Sequence, residues 1–227
     1  MDSLREGLIL VTGGEGALGT GLRNTLGEKG LDVICPGKTE LDLRSTESID
    51  KFCDNLGGKR VSGLVLNASR NQPNPLDSRS AIASIQEHME INFIGHVKLV
   101  VNLLPKMCSE GGSRIVAVSS TYAEKARLAR APYSASKAAL ESFVRSVAIE
   151  YAQFGILANS VRPGFMDTPL TKRNNDEESI RTITSRIPIS RLGTIQETAD
   201  FISFLLSDEN TYITGQTLTI DGGFSLT

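Results

Sequence analysis

The sequence has few of the residues that build the simplest functional sites. Among 227 residues there are three cysteines, Cys35, Cys53 and Cys108, and two histidines, His88 and His96. The cysteines are an odd, widely spaced set without a CxxC, which speaks against a disulfide framework, and two imidazoles add too little for a zinc site. No metal is expected. Charge of one sign is missing as well: the net charge is −2, with Lys and Arg scattered along the chain. Neither a nucleic acid nor an anionic membrane finds an electrostatic footprint. No apolar run approaches a membrane span. The stretch "MDSLREGLILVTGG" lacks the basic region, longer apolar segment and cleavage site of a signal peptide, so the expected compartment is the cytoplasm.

What is present is an ordinary globular composition, 40% hydrophobic and 22% charged with 21 Gly, of a size that suits one domain over residues 1–227. Short apolar runs alternate with longer helical patterns. Leu8–Val11, Leu31–Cys35, Leu64–Asn67, Ile115–Ser119, Leu157–Val161 and Thr217–Ile220 read as strands, most of them apolar on both faces and therefore buried between helices. The pattern predicts an α/β fold: a single-domain, Rossmann-like, doubly wound parallel sheet.

Tyr133 to Phe154 is the clearest helix, with Leu140, Phe143, Val144, Val147, Ala148 and Tyr151 forming a stripe that should face the sheet. Ala135, Ala138, Ser142 and Ser146 make its other side small enough for close approach by a second helix, either within the fold or from another subunit. Between the second strand and an apparent third, Glu40 to Leu43, only "PGKT" intervenes, too short for a parallel crossover. The crossover helix should be absent and the sheet trimmed there, leaving the adenosine end of any cofactor open. The polar run "TKRNNDEES" at 171–179 reads either as a solvated loop or as a mobile lid.

"TGGEGALG", residues 12–19, follows an apolar strand and precedes the helical stretch Leu18 to Leu26. In that context Gly14, Gly16 and Gly19 satisfy GxGxxG, whose glycines permit a tight turn, backbone approach to a pyrophosphate and close helix–strand packing. Phosphates would then sit at the helix N-terminus. The acid expected about 20 residues further on, which binds ribose hydroxyls in NAD-type sites, is absent. Lys38 stands in that region and would attract a ribose 2′-phosphate, whereas Glu15 would repel one or bond a free hydroxyl. The balance leans slightly to NADP(H) over NAD(H).

"YSASK" puts Tyr133 and Lys137 one turn apart on one helix face, where an ammonium favours the phenolate of an otherwise weak acid. "RIVAVSS" delivers Ser119 and Ser120 to the carboxyl end of a strand, the edge where ligands bind in such sheets.

Together these features resemble the short-chain dehydrogenase/reductase family, in particular its smaller 3-oxoacyl-carrier-protein-reductase-like members, from Leu8 to the C-terminus. Ser120 precedes Tyr133 at the family's spacing. "LNAS" at 66–69 is similar to its Asn-Asn-Ala-Gly strand end, with Asn67 and Ala68 retained; Asn92 in "EINFIGH" matches its helix asparagine; "RPGFMDT" matches its Pro-Gly-x-x-x-Thr segment; and "YITGQTLTIDGGFS" is similar to its C-terminal strand and turn. Two departures stand out. Ala17 occupies a glycine position of the larger subfamily's TGxxxGxG, so the loop reads TGxxGxxG as in the extended, nucleotide-sugar branch, and "GKTELDLRSTESI" is similar to NADPH-dependent sugar reductases of that branch. The chain is short for that branch's C-terminal substrate region.

The resemblance implies hydride transfer between nicotinamide and a carbonyl or secondary alcohol. It assigns Ser120 to the substrate oxygen, Tyr133 to proton transfer, Lys137 to lowering the Tyr133 pKa and binding the nicotinamide ribose, and Asn92 to a water-mediated proton path. The implied cofactor set comprises Gly13, Gly14, Glu15, Gly16, Leu18, Gly19, Lys38, Asp42, Leu43, Asn67, Ala68, Tyr133, Lys137, Pro163, Gly164, Met166 and Thr168, with Asp42 and Leu43 at the adenine. Plainer readings stand beside three of these: Asn92 as a partner of backbone groups, Asp42 as a capping neighbour of Ser45, and Lys38 as a solvated side chain. Residues 165–195 should shape the substrate pocket, no motif names the substrate, and family members of this size form tetramers or dimers through the Tyr-bearing helix and C-terminal strand. A non-catalytic cofactor-binding regulator and a nucleotide-sugar-modifying enzyme are the alternative functions.

Overall fold

A computed structural model describes residues 7–109 and 112–227; the polar start of the chain, residues 1–6, lies outside them. Six parallel strands form one sheet in the order β2-β1-β3-β4-β5-β6. They are β1 (Leu8–Val11), β2 (Val33–Ile34), β3 (Val61–Leu66), β4 (Arg114–Val118), β5 (Leu157–Pro163) and β6 (Thr217–Ile220). Helices α1 (Ala17–Glu28), α2 (Thr46–Asn55), α3 (Ala81–Met89), α4 (Gly95–Cys108), α5 (Ala131–Tyr151), α6 (Pro169–Asn174), α7 (Glu177–Ser185) and α8 (Ile195–Leu206) connect them.

Continuous apolar strands require cover on both sides, and two separate cores supply it. On one face Leu10, Leu64, Leu66 and Ile115 pack with Leu99 and Leu103 of α4 and Leu140, Val144 and Val147 of α5. On the other face Ile9, Val11, Val65 and Val116 meet Leu22 and Leu26 of α1 and Ile202 and Leu205 of α8. The order in which strands are added reverses between β1 and β3, so the crevice beyond their carboxyl ends is the switch point where such sheets bind ligands.

The long helix follows its predicted stripe: Leu140, Val144, Val147 and Ala148 are buried, while Phe143 and Tyr151 pack partly against the same core. It starts two residues early, at Ala131 with Pro132 in its first turn, and ends in a tighter turn, Ala152–Phe154, closed by Gly155 at φ 71. Ala135, Ser142 and Ser146 face solvent, with Ala138 half-buried.

Three sequence expectations are corrected. Glu40 to Leu43 is not a strand. The amides of Glu40 and Leu41 both turn back to the Gly37 carbonyl, at 3.1 and 3.0 Å, which rules out a ladder. Nor is the crossover helix absent as expected: once 40–43 is not a strand, α2 is the crossover from β2 to β3, and the edge is trimmed because the strand is missing. Leu41 and Leu43 nevertheless enter the core from this irregular segment. The polar run 171–179 is also not a loop. It forms α6 and the start of α7, capped by the side chains of Thr168 and Asp176.

Gly95, the first residue of α4, lets the strandless segment lie against the helix, since a Cβ there would sit 2.2 Å from the Leu43 carbonyl oxygen. Alanine favours helix interiors by about 1 kcal/mol over glycine. Overpacking against rigid backbone reverses that preference here, so Gly95→Ala should cost about 1–3 kcal/mol. A lower midpoint of chemical denaturation with an unchanged slope is the expected observation.

Candidate active site

The β1–α1 turn is built around Thr12. Its buried hydroxyl accepts the amides of Asn67 and Ala68, both at 2.9 Å, and the Asn67 side chain returns a bond to the Thr12 carbonyl at 2.8 Å. The carboxyl ends of β1 and β3 are thereby tied together. Gly14 and Gly19 serve close packing: added Cβ atoms would lie 2.1 Å from the Cys35 carbonyl oxygen and 2.3 Å from that of Gly13. Gly16 differs. It is exposed, caps α1 without a side-chain bond, and an added Cβ would meet nothing closer than 3.3 Å. A bare helix N-terminus at such a turn is suited to phosphate.

This turn opens into a cavity of ≈ 740 Å³ that runs to the ends of β4 and β5. Gly13, Glu15, Gly16 and Leu18 line it together with Lys38, Asp42, Leu43, Asn67, Ala68, Ser120, Tyr133, Lys137, Pro163, Gly164, Met166 and Thr168. Of the residues singled out from the sequence, Gly14, Gly19 and Asn92 stand behind its wall. The fit to a dinucleotide rests on three features: the open helix N-terminus, glycines that keep the backbone exposed, and a length of cavity that joins both to the Tyr133 site.

At the far end, Glu15 folds over the chain after β2. Its carboxylate accepts from the Lys38 amide at 3.4 Å and fills the space that a Gly37 side chain would need. An acid thus reaches the end of β2 from the glycine turn. Asp42 is engaged by Arg44 through Oδ1 at 3.0 Å and Oδ2 at 2.6 Å, and this pairing holds its carboxyl near 2. Ser45, and not Asp42, caps α2. Lys38 makes no ion pair among the described residues.

At the other end, β4 presents two serines in opposite senses. Ser119 is buried and donates to Glu141 Oε1 at 2.5 Å, while Ser120 faces the cavity and accepts the Tyr122 amide at 3.2 Å. Tyr133, 7% exposed, packs edge-on against Tyr122. Burial pushes its phenol above the ordinary 10.0, against the pull of the nearby Ser120 and Ser69 hydroxyls. Lys137 is 1% exposed, donates to the Val118 carbonyl at 2.6 Å, and lies 5.8 Å from the Tyr133 ring centre. Burial presses its pKa down to about 7, partly offset by Glu141. Without a bound cation, then, burial dominates both groups and Tyr133 is held as the neutral phenol.

Asn92 lies in a π-helical turn, Glu90–Ile94, between α3 and α4. Its side chain accepts from the Arg70 amide at 2.7 Å and donates at 2.9 Å to both the Arg70 carbonyl and Ser136 Oγ. The plainer reading of Asn92 as a partner of backbone groups is therefore correct for its side chain.

Several contributors were not singled out from the sequence. Glu141 is one turn beyond Lys137, 3% exposed, and accepts Arg162 Nε and Nη2 at 2.7 Å each. The Tyr133, Lys137, Glu141 spacing of four was the available signal. His96, one turn beyond Asn92, is neutral because burial and the Lys137 charge bring it to about 3. Its Nδ1 donates to the Asn92 carbonyl at 3.2 Å and Nε2 lies 3.2 Å from Thr12 Oγ1, linking the π-turn to the glycine turn. Among the described residues no group of three His, Cys, Asp or Glu is placed to hold a metal ion, and no helix is long and apolar enough to cross a membrane.

Residues 21–225 match the family model described as enoyl-(acyl carrier protein) reductase. The chain belongs to the short-chain dehydrogenase/reductase family. It is 32% identical to the 3-oxoacyl-[acyl-carrier-protein] reductase FabG of Vibrio cholerae, over 97% of this chain and 98% of that protein. It is 31% identical to the uncharacterized oxidoreductase YmfI of Bacillus subtilis, over 95% and 97%. The ligand-free aldohexose dehydrogenase of Thermoplasma acidophilum superposes with a TM-score of 0.91 at 26% identity, covering 100% of this chain and 96% of that one. As a family member the chain is an NAD(P)-dependent oxidoreductase acting on CH–OH or C=O groups.

A depressed lysine pKa has a measurable linkage. Between about 7 and 10.5 the unfolded chain keeps a proton on Lys137 that the folded chain has lost, so stability rises with pH across that window and is level below it. Denaturation of the wild type and of Lys137→Met should show the wild type gaining on the variant from neutral pH to pH values near 10. Parallel curves would remove the buried ammonium from the account.

Proposed function

We propose that Ser120, Tyr133 and Lys137 carry out the proton chemistry of this oxidoreductase on a small carbonyl or alcohol substrate. The observation that carries this reading is the convergence of a cavity-facing serine hydroxyl, a buried neutral phenol and a buried lysine at the end of β4. When bound, the nicotinamide supplies or accepts the hydride. Ser120 holds the substrate oxygen and offsets charge developing on it. Tyr133 Oη donates the proton in reduction and accepts it in oxidation. Lys137, fixed by the Val118 carbonyl, favours phenolate whenever it carries a proton and is placed to bond the nicotinamide ribose. Asn92 keeps α5 in position through Ser136, and support of a water-mediated proton path is its second role in this proposal.

Gly13, Gly16, Leu18, Asn67, Ala68 and the segment Pro163, Gly164, Met166 and Thr168 form the dinucleotide cradle in this proposal, with Asp42 and Leu43 at the adenine and Gly14 and Gly19 as structural support. NADP(H) is the preferred cofactor. Glu15 is already bonded to a backbone amide, while Lys38 at the same end makes no close ion pair among the described residues and its nearby acid, Asp42, is taken up by Arg44. Segment 165–195, with α6 and α7, forms the substrate wall. The exposed Ala135, Ser142 and Ser146 face of α5 makes a homo-oligomer, a tetramer or dimer, the expected state, and the cytoplasm the expected compartment. A regulatory protein would need neither a buried phenol nor a lysine beside it, so the catalytic reading is favoured.

Tyr133→Phe should lower hydride transfer by about 10²–10⁴-fold while NADPH affinity, followed by its fluorescence, stays within a few-fold. Unchanged turnover would overturn the assignment. Lys38→Ala should weaken NADPH about fivefold, as expected for one exposed ion pair of about 1 kcal/mol, and leave NADH unaffected. Equal effects on the two cofactors would remove Lys38 from selectivity.

A further inference from the structure

The loop between Ser120 and Tyr133 carries two arginines, Arg127 and Arg130, whose side chains line the same cavity as both residues. Arg130 is only 5% exposed. Its Nη1 is held by neutral oxygens of Asn71, Oδ1 at 2.5 Å and the carbonyl at 3.4 Å, and Nε and Nη2 have no partner among the described residues. Arg127 donates to Tyr122 Oη and, at 3.1 Å, to Asn175 Oδ1, with its guanidinium over the Tyr122 and Phe165 rings at 5.5 and 5.4 Å.

Neither guanidinium forms an ion pair with a carboxylate among the described residues. Three other arginines of this region behave differently, Arg44 pairing with Asp42, Arg70 with Glu87 and Arg162 with Glu141, and Arg173 on the cavity rim, without an ion pair among the described residues, is exposed to solvent. The acids on the rim of the adjoining recess, Asp176 and Glu178, reach neither Arg127 nor Arg130, and Asp176 is committed to capping α7. The two charges also oppose each other: burial and the nearby Arg127 lower the Arg130 pKa. A buried guanidinium beside a half-buried one, with no anion paired to either among the described residues, costs folding free energy, and such an arrangement is offset when a ligand brings the missing charge.

We propose that the substrate of this oxidoreductase is an oxo acid or hydroxy acid whose carboxylate is bound by Arg130, with Arg127 completing the site. The inference rests on the functional reading above and narrows its substrate class. A guanidinium fixed through Nη1 presents Nε and Nη2 as a parallel fork, which matches the two oxygens of a planar carboxylate. Arg130 also lies close enough to Tyr133 for the two charges to influence each other. A carboxylate held there places the substrate's carbonyl within the same compartment as Ser120 and Tyr133. Tyr122 and Phe165 line the space between with apolar surface.

The test compares acetoacetate and levulinate with their methyl esters as substrates for the wild type, Arg130→Met and Arg130→Lys. The wild type should prefer the acids through KM. Arg130→Met should reduce that preference at least tenfold, and Arg130→Lys, which keeps charge without the fork, should retain part of it. A direct binding readout accompanies turnover: calorimetric titration of levulinate and of methyl levulinate into the protein loaded with NADP⁺, where neither ketone can be reduced. Levulinate should bind more tightly than its ester, and Arg130→Met should abolish the difference.

Esters turned over and bound as well as the acids, or a preference unmoved in Arg130→Met, would overturn the carboxylate subsite while leaving the oxidoreductase reading intact. No hydride transfer to any of the four compounds, combined with tighter binding of levulinate, would support the subsite and count against these ketones as reactants. Neither transfer nor selective binding would overturn the subsite.

Discussion

The bond from Lys137 Nζ to the Val118 carbonyl is the interaction on which the site depends. It fixes α5 against the end of β4, and it does so with an ammonium taken out of water. One hydrogen bond to a neutral oxygen does not repay that desolvation, so the charge is poised between two states, as its displacement to about 7 reflects. The same burial acts in the opposite chemical sense on Tyr133, whose neutral form is the uncharged one. Removing water from a lysine–tyrosine pair therefore drives their proton affinities apart, Tyr133 above 10.0 and Lys137 down to about 7. The phenol thus keeps its proton until a substrate oxygen takes it, and a positive charge brought close to it lowers the cost of that release.

Behind this pair the charge is organised in layers. Glu141 takes up the hydroxyl of Ser119 and the fork of Arg162, which leaves Ser120 as the serine free to face substrate. On the other side His96 and Thr12 connect the π-turn holding Asn92 to the turn that opens the dinucleotide cradle. A disturbance at either end of this chain of bonds is felt by α5. The two arginines of the intervening loop are the exception, since neither is paired with a carboxylate among the described residues.

Much of this was legible in the sequence because it depends on local pattern. Apolar strands, the three-four stripe of α5 and the one-turn spacing of Tyr133 and Lys137 are all set by short-range periodicity. The failures share a different cause. Glu40 to Leu43 alternates like a strand, but with no neighbouring edge in register its amides turn back to Gly37, and only the burial of Leu41 and Leu43 survives. The 171–179 run carries too little apolar surface to announce helices. Thr168 and Asp176 cap them all the same, and Ile183 provides the anchor in a small cluster with Ile187 and Phe224. Glu15 was read as a charge in conflict with Lys38. Its true position required knowing that Gly37 leaves room for a carboxylate from the β1–α1 turn.

Arg130 illustrates the limit most clearly. Three residues before Tyr133 it looks like any surface cation, and only the fold reveals that it is buried against Asn71. The central claim, however, concerns burial at Tyr133, and its phenolate titration tests that most directly. The titration is the absorbance difference between wild type and Tyr133→Phe over an alkaline pH series, with and without NADP⁺. The account predicts a midpoint above 10.0 in the dinucleotide-free protein, moving lower when the positively charged ring is bound. A midpoint at or below 10.0 without dinucleotide, unmoved by NADP⁺, would contradict it.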